Sequence, residues 1–362
     1  MQIPRDLKTW ILSLLLLGIL GAMLIGLTLR PIYGADFYFV YYPAAQNLLN
    51  GDAILYTYNT PGYFNPAHGM FYWLAIATLP LNIANTVHIM VTFTLLIIIV
   101  RLWSNHVGWS TFKVLLALAG LYTVDHIIRG QVDVIALFGL ILAFEGAKRH
   151  LPYLLGLGAT IAMIKFGNLL LPLLLIAWSL RKWNIRDILK AAIIPSLTII
   201  ATMLVFGADW GLRLYEKLSN GLPYDALSSL STWQLAEALS IPVIVPIIIS
   251  VALLFLVAKY RELTVEHIAL AIVVNFLISN YVAGYHFVAL IPAILCIRHR
   301  GLVFIAWLLS LMPLVRIISQ DLAWLMLLLP IFIGFVLLWQ ITHPLTPESE
   351  IVSPNIDPEL SV

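Results

Sequence analysis

One cysteine in 362 residues, Cys296, removes any intramolecular disulfide and any multi-cysteine metal site. It lies in an apolar run, where a packed thiol is the plain expectation. Charge is nearly as scarce, at 10% of residues, and the net value of +2 leaves no basic face for nucleic acid. Familiar catalytic signatures are missing too. The chain has no Walker loop, no GxGxxG after a strand, no HExxH and no GxSxG. It also lacks a DxD pair of the kind that holds a metal-bound sugar nucleotide. An enzyme built on this chain needs an activated substrate delivered in the membrane, with no nucleotide fold. Tandem repeats and heptads are absent, and no lysine or arginine occurs between Pro31 and His68.

What is abundant is apolar surface. Hydrophobic residues make up 61% of the chain, and mean hydropathy is +0.97. That excludes a soluble domain and predicts an all-α polytopic membrane protein. Spans are expected near 9–29, 84–103, 113–128, 131–147, 151–164, 167–180, 189–206, 242–258, 264–279, 286–297, 302–317 and 322–341. The first resembles a signal peptide but lacks a small-residue cleavage site, so it reads as a retained helix. Residues 69–81 are too short to cross a core that needs about 20 helical residues. If they lie along the outer interface, fourteen of the twenty lysines and arginines fall on the cytoplasmic side. If they span, only seven do. The positive-inside rule selects the interfacial arrangement, with twelve spans and both termini cytoplasmic. Residues 1–343 then form one membrane domain, and the acidic, Pro/Ser-rich 344–362 a disordered cytoplasmic tail.

The same assignment gathers Asp36, Asp52, Asp125, His126, Arg129, Gln131, Asp133, Lys165, Tyr285, His286, Arg316 and Asp321 on or near the outer face. Ionisable groups at membrane depth are expensive and line cavities or pathways. Residues 151–164 and 167–180 give helices of about 21 Å each, against a hydrocarbon core of about 30 Å. They therefore predict a short hairpin whose tip, Lys165–Asn168, sits below the outer surface. A lysine there needs water or an anion; snorkelling is the simpler alternative.

Five stretches recur in an order shared with one known family. GADFYFVYYPAAQNLLNG begins at Gly34 and leads into an aromatic-Pro segment before the interfacial helix. RGQVDVIALFGLILAF begins at Arg129, and GLGATIAMIKFGNLLLPLLLI, from Gly156, ends a Gly-rich helix in Lys165. LSSLSTW is a Ser-centred outer loop that ends at Trp233, and ISNYVAGYHFVALIPAIL carries Tyr281, Tyr285 and His286. Together, from about Leu20 to Leu295, they resemble glycosyltransferase family 87 of the GT-C superfamily. Its members are polyprenyl-phosphate-mannose-dependent membrane mannosyltransferases. The chain departs from the family where Phe166 replaces the proline that commonly follows the lysine.

The resemblance implies a GT-C-like bundle of about twelve transmembrane helices with interfacial helices in the first outer loop. It further implies inverting transfer of a sugar, mannose in the family, from a polyprenyl monophosphate to a glycolipid or envelope glycan. The donor, the acceptor and membrane lipid are then the partners. No cofactor is implied, and no divalent metal is required. Asp36 is the candidate general base; with no second carboxylate beside it, direct displacement with inversion follows. Its structural alternative is capping of the helix that follows. Lys165 and Arg129 are candidates for the donor phosphate, with His286 as a proton or hydrogen-bond donor to it. Arg129 could instead pair with Asp125 or Asp133, and His286 could be a satisfied interfacial histidine. Gln131, Tyr281, Tyr285, Tyr63 and Trp233 are candidates for sugar contact, although aromatics also form interfacial belts. Rival functions are a lipid-linked sugar transporter or flippase, and a ligase or polymerase using a pyrophosphate-linked donor.

Overall fold

The computed structural model describes residues 36–344 except 53, 58, 59, 61, 220–230, 280, 281 and 315–319. The span expected at 9–29 and nearly all of the expected tail lie outside the described residues. Those described form helices and no strand, as a backbone without water to bond it requires.

A π-helical turn, Phe37–Tyr41, leads into α1 (Tyr42–Leu49). After an irregular segment come α2 (Met70–Ala77), α3 (Leu81–Val107), α4 (Thr111–Leu118) and α5 (Leu121–Arg129). The centre of the chain holds α6 (Asp133–Lys148), α7 (Pro152–Ala162), α8 (Phe166–Ser179), α9 (Ile185–Phe206) and α10 (Trp210–Ser219). The last third supplies α11 (Thr232–Ala238), α12 (Ile244–Lys259), α13 (Val265–Ile278), α14 (Ile291–Cys296), α15 (Arg300–Leu309) and α16 (Leu328–Thr342).

By length and composition, four described helical runs can cross a membrane: Leu81–Val107, Pro152–Lys182, Ile185–Phe206 and Trp324–Thr342. Joining α4 to α5, which meet at a 49° bend, makes a fifth. The span expected at 113–128 is this bent pair. The bend falls at Gly120, where a Cβ would collide with the Tyr122 ring. Tyr122 donates to the Ala117 carbonyl at 2.5 Å and braces the corner. Residues 69–81, expected to lie along the interface without crossing, hold the short helix α2, which packs on α1.

Several shorter apolar helices are interior. Nearly every residue of α6 and of α13 is buried, the pattern of a helix that is apolar all round because protein surrounds it. By contrast α9 exposes most of its apolar surface, as a face against lipid does.

The run Pro152–Lys182 passes the length test as one helix, but it is folded back on itself. Were it straight it would extend about 46 Å, yet the rings of His150 and Trp183, just beyond its two ends, stack at 5.0 Å. The reversal is at Met163–Lys165, a 3₁₀ turn ending in Lys165 at φ −128°, ψ 55°. This is the hairpin that the two 14-residue lengths predict.

Glycines seat the hairpin against α6. A Cβ on Gly139 would meet the Ala162 backbone nitrogen, and one on Gly158 that of Ala143. The two helices therefore touch backbone to backbone, as small residues allow in membrane helix pairs. On the other arm, Asn275 of α13 inserts into the first turn of α8. Its Oδ1 accepts from the Leu171 N–H at 2.9 Å, while its Nδ2 donates to the Gly167 carbonyl at 2.9 Å.

These contacts give the bundle two chemically different ends. At one, Glu145 accepts from His106 at 2.5 Å and pairs with Arg149 at 2.7 Å, while Arg181 and Arg261 both lie over Trp178. At the other end lie Asp36, Gln131, Asp133 and the hairpin tip.

Candidate functional site

Glycine chemistry places the first two groups. Gly130 ends α5 in the left-handed region, at φ +64°, and returns bonds from its own N–H to Ile127 and from Gln131 N–H to His126. A Cβ at Gly130 would also collide with Phe37. Phe37 is wholly buried, its ring stacked on His88 at 5.7 Å. So the Gly-Gln pair brings the Asp36 turn and the Gln131 side chain together across 95 residues.

Gln131 is the hub. Its Nε2 donates to Asp36 Oδ2, and its Oε1 accepts from Tyr41 OH at 2.9 Å and Lys165 Nζ at 3.2 Å. An amide has one donating and one accepting side, and here each faces its complement: carboxylate on one, hydroxyl and ammonium on the other. Tyr41 is itself held by stacking on Trp73 at 4.5 Å with rings nearly parallel, and it accepts from Asn65 Nδ2 at 3.4 Å.

Asp36 makes no side-chain capping bond, and its backbone is already helical at φ −59°, ψ −26°. The capping alternative is therefore set aside. Burial raises its carboxyl above the ordinary range, with the Lys165 ammonium and the Arg129 guanidinium acting in the opposite sense.

Asp36, Gln131, Lys165, Tyr285 and His286 all line one cavity of about 350 Å³. Its walls are completed by Tyr41 and Phe64–Pro66 of the first segment, by Ile164 and Phe166–Asn168 of the hairpin tip, and by Leu218 and Ser279. Asp36 is the one carboxylate among the lining residues.

The remaining expectations fare differently. Arg129 does not line the cavity: its Nε bonds Asp125 Oδ1 at 2.8 Å, and its guanidinium lies 5.2 Å above the Tyr285 ring. The ion-pair alternative holds, and Arg129 reaches Asp36 only through its field. Tyr63 is fully buried and donates to the Pro66 carbonyl at 3.2 Å, so its hydroxyl braces the loop and does not face the cavity. Trp233 likewise sends its indole N–H to the Ile278 carbonyl at 2.9 Å, outside the lining. Tyr281 lies outside the described residues. His286 is buried; its Nδ1 accepts from the Ala283 N–H at 3.1 Å, and its Nε2 sits 4.0 Å from Asp133 Oδ1, closed off from solvent. Both ring nitrogens thus face protein groups.

Behind the wall is a group that the sequence ranked no higher than its neighbours. Asp133 accepts from Asn168 Nδ2 at 2.6 Å, and His126 Nδ1 stands 3.8 Å from its other oxygen. Asn168 and Asn65 carry no motif signal beyond their places beside Lys165 and in the aromatic-Pro segment. Among the described residues, no group of three or more His, Cys, Asp or Glu is arranged to hold a metal ion.

Comparison of the chain with family models, with curated proteins and with solved structures returns no match.

Proposed function

We propose that the chain is an inverting membrane glycosyltransferase that moves one sugar from a polyprenyl monophosphate to a lipid or glycan hydroxyl. The observation carrying this reading is the shared cavity: an uncapped, partly dehydrated carboxylate and a lysine ammonium, bridged by one glutamine amide. In the reaction, the acceptor oxygen attacks the anomeric carbon while its proton passes to Asp36. The bond from that carbon to the phosphate oxygen breaks, and the electron pair leaves with the polyprenyl phosphate. Negative charge grows on that phosphate, and Lys165 stands where a cation lowers the barrier. Desolvation makes Asp36 a stronger base than a solvated aspartate. A covalent glycosyl-enzyme route needs two carboxylates about 5–5.5 Å apart; the lining supplies one, which favours single displacement. Given where its nitrogens point, His286 serves to position the wall and not as a proton donor to phosphate. Mannose as the sugar rests on the family resemblance.

The concentration of basic residues at the opposite end supports placing the cavity on the outer side of the membrane. In a Cys296→Ala background, Asp52→Cys should then label from outside and Lys182→Cys from inside; the reverse pattern defeats the placement. The function itself is tested in proteoliposomes with three arms: a monophosphate-linked donor, a pyrophosphate-linked donor, and translocation scored without transfer. Sugar transfer from the monophosphate donor alone is the expected result. Translocation without bond formation, or use of the pyrophosphate donor alone, overturns the proposal.

A further inference from the structure

The fully buried carboxylate of Asp133 has no part in the displacement just described, and its surroundings give it one. Asp133 opens α6, where an acidic residue is favoured by the helix dipole, and that alone would account for an acid at this position. It does not account for where the carboxylate points. Oδ1 takes the Asn168 amide at 2.6 Å, and Asn168 lies three residues beyond Lys165 on the tip of the hairpin. The same oxygen is 4.0 Å from His286 Nε2 on the facing wall. Oδ2 has no hydrogen bond and stands 3.8 Å from His126 Nδ1. A carboxylate buried to 2% exposure with so few bonds is costly to fold around. Such a cost persists where the group has a task that an apolar side chain could not perform.

The hairpin makes the task specific. Its arms are fixed by backbone contact with α6 and by Asn275, but the tip itself changes direction through a non-helical Lys165. The Asn168–Asp133 bond is the polar tie between that tip and the core helix. We propose that Asp133 is a positioning residue: through Asn168 it holds the hairpin tip so that Lys165 meets Gln131 and the cavity. The assignment of Lys165 to a donor phosphate rests on the function proposed above; the tie itself does not.

Two readouts keep these apart. The first needs no substrate: Leu169→Cys, 1% exposed and next to Asn168, in a Cys296→Ala background, labelled by a membrane-impermeant thiol reagent. Labelling there requires the tip to lift, so its rate follows the opened population. Asn168→Leu removes the donor while keeping the branching and the number of heavy atoms in the side chain. The swap Asp133→Asn with Asn168→Asp restores a donor–acceptor pair of reversed polarity. A hydrogen bond to a charged group supports an increase of roughly tenfold to a hundredfold in labelling rate for Asn168→Leu, with the swap returning it most of the way. The second readout is transfer: KM for the monophosphate donor should rise in Asn168→Leu with kcat changed less, and fall again in the swap. Unchanged labelling in Asn168→Leu refutes the tie, as does a folded swap protein that labels as fast as Asn168→Leu. If the wild-type protein transfers no sugar, the labelling rates still decide the role of Asp133, and only the proposed function fails.

Discussion

Replacing Asp36 with asparagine separates chemistry from architecture more cleanly than any other change in the site. The substitution keeps an oxygen for the Gln131 amide to donate to, keeps the volume, and removes the ability to take a proton. A general base contributes typically about 10²–10⁴-fold, or about 2.7–5.5 kcal/mol of activation free energy. Transfer by Asp36→Asn should fall by that factor while donor binding survives. Asp36→Glu should keep a small residue of activity if the longer carboxylate still reaches the acceptor.

Stability should move the other way. Burial raises the folded-state carboxyl above its unfolded value of 3.8. Its contribution to stability is therefore complete below the unfolded value and is lost as pH climbs through the raised one. At neutral pH the ionised side chain is a cost, so Asp36→Asn should melt no lower than the wild type and should lose that part of the pH dependence. Loss of turnover with retained or increased stability is the signature of a residue kept for function. In the wild type, the acid limb of kcat/KM should lie above 3.8 for the same reason. Well-folded Asp36→Asn that transfers sugar at a near wild-type rate would refute the mechanism.

Lys165→Gln should lower kcat/KM for the donor by roughly 10²–10³, the scale for removing a group that meets developing charge, with Lys165→Arg intermediate; equal kinetics in all three proteins would make the lysine structural. Gly158→Val should abolish recovery of folded protein, since its Cβ would run into the α6 backbone at Ala143, whereas Gly167→Ala, with nothing within 4 Å of the added carbon, should be neutral or slightly stabilising; similar thermal stability for the two would contradict the close helix contact. Lys217 donates to the Thr60 carbonyl at 2.5 Å, and burial lowers its pKa from 10.5 to about 8. Because the unfolded chain then holds the proton more tightly, stability should rise between about pH 8 and pH 10.5, and Lys217→Met should flatten that rise in a thermal melt.

The sequence disclosed what depends on local length and chemistry. Two apolar stretches of 14 residues flanking a lysine are too short for two full crossings and too polar at the join for a straight helix, and the hairpin follows. Asp36, Gln131, Lys165, Tyr285 and His286 were singled out by residue type in an apolar chain, and all five line one cavity. Hydropathy was a poorer guide to crossings. It records that α6 and α13 are apolar on every side, but protein neighbours and lipid demand the same composition. Among the described residues, four or five runs have membrane length, and the other expected spans correspond to shorter apolar helices such as Ile244–Lys259 and Val265–Ile278. Two aromatic candidates, Tyr63 and Trp233, lie off the lining for a different reason. The Tyr63 hydroxyl and the Trp233 indole are each answered by a backbone carbonyl, a partnership that nothing in their local sequence announces.

The polar pairings that make the site link residues 34 to 95 positions apart: Lys165 to Gln131, Asn168 to Asp133, Gln131 to Asp36. Every one depends on two joints that are conformational and not chemical, the left-handed Gly130 and the non-helical Lys165. Residue type names the participants, while those joints decide who meets whom. Arg129 makes the point from the other direction. It carries the right charge next to Gly130, yet the helix it ends turns its guanidinium back along α5 to Asp125, one turn away. A cation one residue before the joint is thus held on its own helix, and the cation reaching the hub is the one delivered by a second joint elsewhere in the chain.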